Sequence, residues 1–119
     1  MNDDKVVLRY RDGRTLRVAM APIDSSRHVF SVTRDDGENA EVDYSELKAV
    51  FFPHKDGAVV ELPVGSMIAV EFSDGEVIRG VALYNPEKNG FFLFPLDRSK
   101  NDRVFVVNSA IVSIEVERL

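Results

Sequence analysis

The chain has 119 residues, room for one ordinary domain or for two of the smallest all-β units. Its 15 lysines and arginines stand against 20 aspartates and glutamates, a net charge of −5 that argues against broad capture of a phosphate backbone. The absence of cysteine excludes disulfides, thiolate metal sites and a cysteine nucleophile. A 45% hydrophobic share beside 29% charged residues suits a folded globular protein. No apolar run approaches the roughly 18 residues of a membrane helix, and the first residues do not read as a signal peptide. The expectation is a cytoplasmic protein with no membrane partner.

In chain order, the first stretch alternates. Val6, Leu8 and Tyr10 fall on one face and Val7, Arg9 and Arg11 on the other, the period-two pattern of a half-buried strand. Asp12-Gly13 supplies a two-residue hairpin turn, whose central positions need positive φ. A second strand follows from Thr15 to Ala21, with Leu16, Val18 and Met20 on one face, closed by Pro22 and a polar run ending at Arg27. A third runs from Val29 to Thr33, and Arg34 to Gly37 form the next turn. A short strand near Ala40 to Tyr44, one turn at Ser45 to Leu47, and a last strand from Lys48 to Phe52 complete a first half.

Residues 53–66 hold Pro53, Gly57, Pro63 and Gly65 and read as a linker, with the apolar piece 58–62 restricted at most to an edge strand. Residues 67–119 repeat the plan. A shift of 62 carries Val6, Leu8 and Tyr10 onto Ile68, Val70 and Phe72, Asp12-Gly13 onto Asp74-Gly75, and Phe30 onto Phe92. After a two-residue insertion, Val42, Leu47 and Val50 fall on Val106, Ile111 and Ile114. The expected fold is all-β: two tandem five-stranded, SH3-like small barrels related by internal duplication, over 1–52 and 67–119.

Two segments of the second half carry a resemblance. Asp74-Gly75, Gly80, Ala82, Tyr84, Asn85 and Asn89 resemble the first motif of Sm and Sm-like proteins, in which a glycine lets the long second strand bend and Asp or Asn side chains fill the following loop. The spacing from Val106 to Ile114 resembles the second motif, as does that from Val42 to Val50. The resemblance implies Sm-like barrels over nearly the whole chain. The chain is also similar to bacterial domains of unassigned activity that accompany signalling modules. Edge-to-edge association through fourth and fifth strands is a further implication, one pairing being satisfied within the tandem and 103–107 or 48–52 left at an open edge.

The departures bear on function. The resemblance implies an RNA-base pocket built from loop Asn or Asp residues and a second-motif arginine. Asn85 and Asn89 match the loop positions, but Val107 stands where the arginine would be and Asn108 where a glycine would be. In the first half Asp43 occupies the arginine position, and Val18 replaces the bend glycine. The alternative is that Asn85 and Asn89 simply shape the loop by bonding to backbone. A cyclic-dinucleotide receptor of the PilZ type is the other small-barrel option. It needs two arginines four residues apart, which the chain lacks, and Asp43 with Ser45 matches only part of its second motif. Arg9, Arg11, Arg14 and Arg17 cluster around one hairpin and read as a solvated face.

Catalytic signals are thin. His28 and His54 lie in predicted loops without a triad pattern, and no run of acidic residues has metal-ligand spacing. No enzyme, metal or cofactor is expected. What stands out is apolar sequence on both faces of one strand: Phe92 and Phe94 point inward by register with Phe30, leaving Phe91, Leu93 and Leu96 outward, while Phe51 and Phe52 divide between faces. Such a strand is covered on both sides, by a seam between the halves or by another chain. The functional expectation is a non-catalytic protein-interaction or self-association module, with Phe51, Phe91, Leu93 and Leu96 as its surface. The alternative is RNA or nucleotide binding through Asn85, Asn89 and Asn108.

Overall fold

A computed structural model describes residues 5–20, 26–34, 36–54, 65–97 and 99–117. The strands of the first half are β1 (Lys5–Tyr10), β2 (Thr15–Met20), β3 (Val29–Thr33), β4 (Asn39–Asp43) and β5 (Leu47–Pro53). Those of the second are β6 (Ser66–Phe72), β7 (Val77–Ala82), β8 (Gly90–Pro95), β9 (Asn101–Val107) and β10 (Ile111–Val116). Single 3-10 turns, Tyr44–Glu46 and Asn108–Ala110, lead into β5 and β10. The apolar piece 58–62 lies outside the described residues.

The ten strands form one antiparallel sheet in the order β10-β6-β7-β8-β9-β5-β1-β2-β3-β4. This corrects the expectation of two closed barrels: the sheet is continuous and open, with β4 and β10 at its edges. Within each half, the fifth strand pairs with the first and the order then runs first, second, third, fourth. The registers recur as well. Val6↔Val18, Leu8↔Val50 and Phe30↔Val42 have counterparts in Ile68↔Gly80, Val70↔Ile114 and Phe91↔Val106.

Both Asp-Gly turns form, with a loop one residue longer than expected. Gly13 N–H donates to the Tyr10 carbonyl and Tyr10 N–H to the Arg14 carbonyl, and Gly75, Phe72 and Glu76 repeat this. Only the glycines take positive φ, 94° and 91°. This is the three-residue hairpin, a tight turn followed by a left-handed glycine. Asp12 and Asp74 each accept from the backbone N–H two residues on, at 3.0 and 2.9 Å.

The two halves meet where β5 pairs with β9, in the register Ala49↔Val106, Val50↔Phe105 and Phe51↔Val104. The segments expected at open edges are therefore joined to each other, and the free edges are β4 and β10. On this pair the side chains alternate between two cores. Leu47, Val50, Phe105 and Val107 belong to the core of the first half, with Phe52 packed against it. Ala49, Val104 and Val106 belong to the core of the second, with Phe51 packed against it. Period-two alternation puts the cores on opposite faces of the β5–β9 pair. The strand sets divide at the expected linker, but the cores do not: Phe105 comes from the second half and fills the first. It sits in an aromatic chain, Phe30–Tyr44–Phe105–Phe92–Phe52, with ring centroids 5.0 to 5.8 Å apart.

The facing of β8 is the reverse of the expected one. Phe91 and Leu93 are buried in the second core, and Phe92 crosses to pack against the first. The cause is a single residue. The connection 83–89 is one residue shorter than 21–28, so Phe91, rather than Phe92, stands where Phe30 stands. A one-residue slip exchanges the faces of every following side chain until the next irregularity. Gly80 reflects close packing on the same strand pair, since an added Cβ would lie 2.2 Å from the Phe94 carbonyl oxygen.

The shared core predicts shared stability. Phe105→Ala should cost about 3–5 kcal/mol, and urea unfolding followed by far-UV circular dichroism and by Tyr fluorescence should give one coincident transition. Two separated transitions would mean that the halves fold independently.

Candidate functional site

Of the four apolar residues expected to form an interaction surface, the fold exposes one. Leu96 is 60% exposed at the end of β8. Phe91 and Leu93 are interior, and the half-buried Phe51 lies at the seam with the Arg9 guanidinium 4.8 Å from its ring centroid.

The three asparagines come together at one end of the seam. Asn108, on the 3-10 turn before β10, donates through Nδ2 to the carbonyls of Asn85 and Lys88, both at 2.7 Å. Its backbone N–H donates to the Asn89 carbonyl at 2.8 Å. Asn85 Oδ1 accepts from Glu87 N–H, and Asn89 Nδ2 donates to the Arg27 carbonyl of the first half. The bond from Asn108 N–H to Asn89 has its counterpart in Tyr44 N–H to the His28 carbonyl. These side chains hold loop 83–89 in shape and fasten it to the neighbouring half. The Asn108 Oδ1 is the one buried side-chain atom among the described residues without a hydrogen-bond partner.

A charged clasp, not anticipated from the sequence, lies along the same seam. Lys48 on β5 is 4% exposed, and its ammonium donates to Asp74 at 2.6 Å and Glu76 at 2.5 Å, 4.9 Å from the Phe72 ring centroid. Simple alternation back from Val50 and Phe52 would point Lys48 into the first core. A bulge turns it, because Arg9 pairs with Ala49 while Tyr10 pairs with Leu47, leaving Lys48 as the extra residue. Arg9 adds a 3.5 Å ion pair to Glu76, and Arg11 donates to the Leu47 carbonyl and to Ser109 Oγ. The arginine cluster read as a solvated face thus contributes two residues to the junction, while Arg14 pairs with its own Asp12 and lies over Tyr10. Arg103 covers Phe52 and Phe92, 4.4 and 4.6 Å from their centroids. His54 Nδ1 lies 2.8 Å from Asp102 Oδ1, joining the ends of β5 and β9. Residues 48 positions apart carry no local signal for that pair.

The Lys48 ammonium, followed by the Glu76 backbone N–H, holds the Asp74 carboxyl below the usual carboxylate range. Asp43 accepts from Ser45 N–H at 2.9 Å at the turn into β5, and that bond likewise lowers its carboxyl. Among the described residues, no group of three or more metal-ligating side chains converges, and no helix is long and apolar enough to cross a membrane.

The remaining feature is an uneven surface. Among the described residues, the exposed large hydrophobics are Val77, Leu83, Tyr84, Leu96, Val112 and Val116, all in the second half, and Val112 and Val116 lie on the open edge β10. A family model described as a family of unknown function, DUF6982, matches residues 2–118. No curated protein and no solved structure matches the chain.

The clasp predicts an acid response. Asp74 binds its proton less readily folded than unfolded, so its contribution is present above the unfolded value of about 3.9 and is lost as pH falls through the lower folded value. Melting temperatures from pH 7 to 2 should fall less steeply for Asp74→Asn than for the parent. Lys48→Met should cost about 1–2 kcal/mol at pH 7, since its partners are half exposed. An unchanged melting temperature would remove the clasp from the stability of the junction.

Proposed function

We propose, for a chain that belongs to DUF6982, a family of unknown function, that this protein is a non-catalytic interaction or assembly module engaging its partner by strand addition at an open sheet edge. The observation that carries this reading is β10. It is an edge strand with four aliphatic residues in six, two of them more than 60% exposed. Edge strands offer unpaired N–H and C=O groups, and proteins that do not use them blunt them with charge, proline or a cover. β10 carries one charged residue, Glu115. Main-chain pairing supplies affinity in such contacts and the alternate side chains supply selectivity.

The recurrence of strand order and register in the two halves supports internal duplication of a five-stranded, Sm-like and SH3-like unit. The unit is then a scaffold whose use is set by what its edges and loops carry. RNA or nucleotide binding through Asn85, Asn89 and Asn108 has less support. The Asn89 and Asn108 side-chain amides donate within the protein, and the second-motif arginine is absent. The acidic net charge weighs the same way.

The test is light scattering on the purified chain with the 260/280 nm absorbance ratio on the same peak, plus titration with single-stranded RNA at low salt. A nucleic-acid-free peak and no RNA affinity are expected. Leu96→Glu and Val116→Glu, both at exposed positions, should retain the fold and raise the solubility limit or lower the mass. RNA affinity that falls with salt and disappears in Asn85→Ala and Asn89→Ala would overturn the reading.

A further inference from the structure

The open edge β10 has two unlike faces, and its pairing with β6 sorts the residues between them. Ile114 pairs with Val70 and Val116 with Ile68, and both partners are buried in the second core, so Ile114 and Val116 form the rim of that core. Ser113 pairs with Glu71 and Glu115 with Ala69, and Glu117 continues the ladder by donating its N–H to the Met67 carbonyl. This second set lies on the face turned away from the core. The Glu117 bond also fixes where the backbone groups point. Glu117 directs its N–H toward β6, and by alternation so do Glu115 and Ser113, which leaves the N–H and C=O of Ile114 and Val116 directed to the open side.

The face turned away from the core is acidic along this edge. Glu71, Glu115 and Glu117 line it, and the one cation carried by β10, β6 and β7 is Arg79, two strands in, which reaches Glu117 at 3.5 Å. The rim is aliphatic, with Val116 exposed, Ile114 half-buried and Val112 exposed at the bulge beside them. The seam shows what is different here. On β5, the counterpart of β10, Ala49 and Phe51 hold the places of Ser113 and Glu115 and serve the second core. The strand that joins β5 is accordingly apolar on both faces, through Val104, Phe105 and Val106. A strand that joins β10 meets apolar side chains on one face and carboxylates with water on the other.

We infer that β10 takes up a strand of a different protein in which lysine or arginine alternates with aliphatic residues. Its cations face Glu71, Glu115 and Glu117, and its aliphatic side chains extend the rim of the second core. The inference rests on the interaction-module reading and specifies the partner's chemistry. The open edges of this chain do not offer such a strand: β4 carries Glu41 and Asp43 and no cation, so a second copy would bring acid against acid. Pairing with the free backbone groups of Ile114 and Val116 supplies affinity, and the glutamates select among strands by attracting basic ones and repelling acidic ones.

Fluorescence anisotropy with the full chain and three dye-labelled peptides tests this: one alternating lysine with valine, one alternating glutamate with valine, and one with the composition of the first but its lysines grouped. The lysine–valine peptide should bind with an affinity that falls as salt rises, and the other two should not bind. Glu115→Lys should weaken binding about ten-fold. Val116→Pro should abolish it with the circular dichroism unchanged, since proline is tolerated on an edge strand where its missing N–H would have faced solvent. Equal binding of the glutamate–valine peptide overturns the inference and leaves strand addition standing. Binding of the lysine–valine peptide that neither substitution alters overturns it as well. So does an absence of binding; a chain free of nucleic acid then keeps the interaction reading, whereas a monomer carrying nucleic acid overturns both.

Discussion

Pairing β5 with β9 commits both strands to cover on both faces, and the rest of the molecule is arranged to provide it. Each half curls to opposite sides of this pair, so every second residue along it belongs to a different core. The small and β-branched residues at these positions, Ala49, Val50, Val104, Val106 and Val107, suit a strand with no solvent face. Phe105 is the large exception, and its position in a chain of rings explains why it can be accommodated. Tyr44 and Phe92 approach it tilted or edge-on, the preferred geometry for aromatic contacts.

Polar groups near this pair follow from the same constraint. A lysine at a covered position needs anions, and Lys48 obtains two from a turn that would otherwise be solvated. Arg103 covers exposed ring faces at the rim of the seam, where a guanidinium stays in contact with water while shielding aromatic carbon. The asparagines work in a similar way. Each backbone carbonyl left free by loop 83–89 near the sheet requires a donor, and Asn108 supplies two from one amide group. The motif that resembles a base-binding loop is thus occupied with holding the chain together.

Much of the fold was legible because its signals are local. Val29–Thr33 was read to the residue, the other strands of the first half to within one residue at either end, and both Asp-Gly turns were placed. The facing of β8 was not legible, for a physical reason. Phe91, Phe92, Leu93 and Phe94 are apolar at every position, so the stretch has no period of its own, and its phase had to be carried over from β3 through a loop whose length differs by one residue. The turning of Lys48 toward Phe72 and Asp74 of the second half was hidden similarly, since a bulge is a register event that a single strand does not announce. For the candidate site, the residue types gave the turn-forming habit of Asn85 and Asn89 but not their partners across the seam. Leu96 could be read as exposed because it follows Pro95, at the point where pairing ends.

The exchange of side chains across the seam bears on what the chain would do if cut. Phe105 and Val107 complete a core otherwise built by strands 1–5, and Ala49 completes the other, so neither half is a self-sufficient globule. Severing the backbone between Pro53 and Gly65 would leave two complementary fragments. Each would hold an unfilled interior and a bare strand matching the other, and the two would reassemble as a heterodimer. The peptide link between them then acts chiefly through effective concentration. It converts a bimolecular encounter between unlike pieces into a single folding event, and so sets how dilute the protein can be and still stay whole.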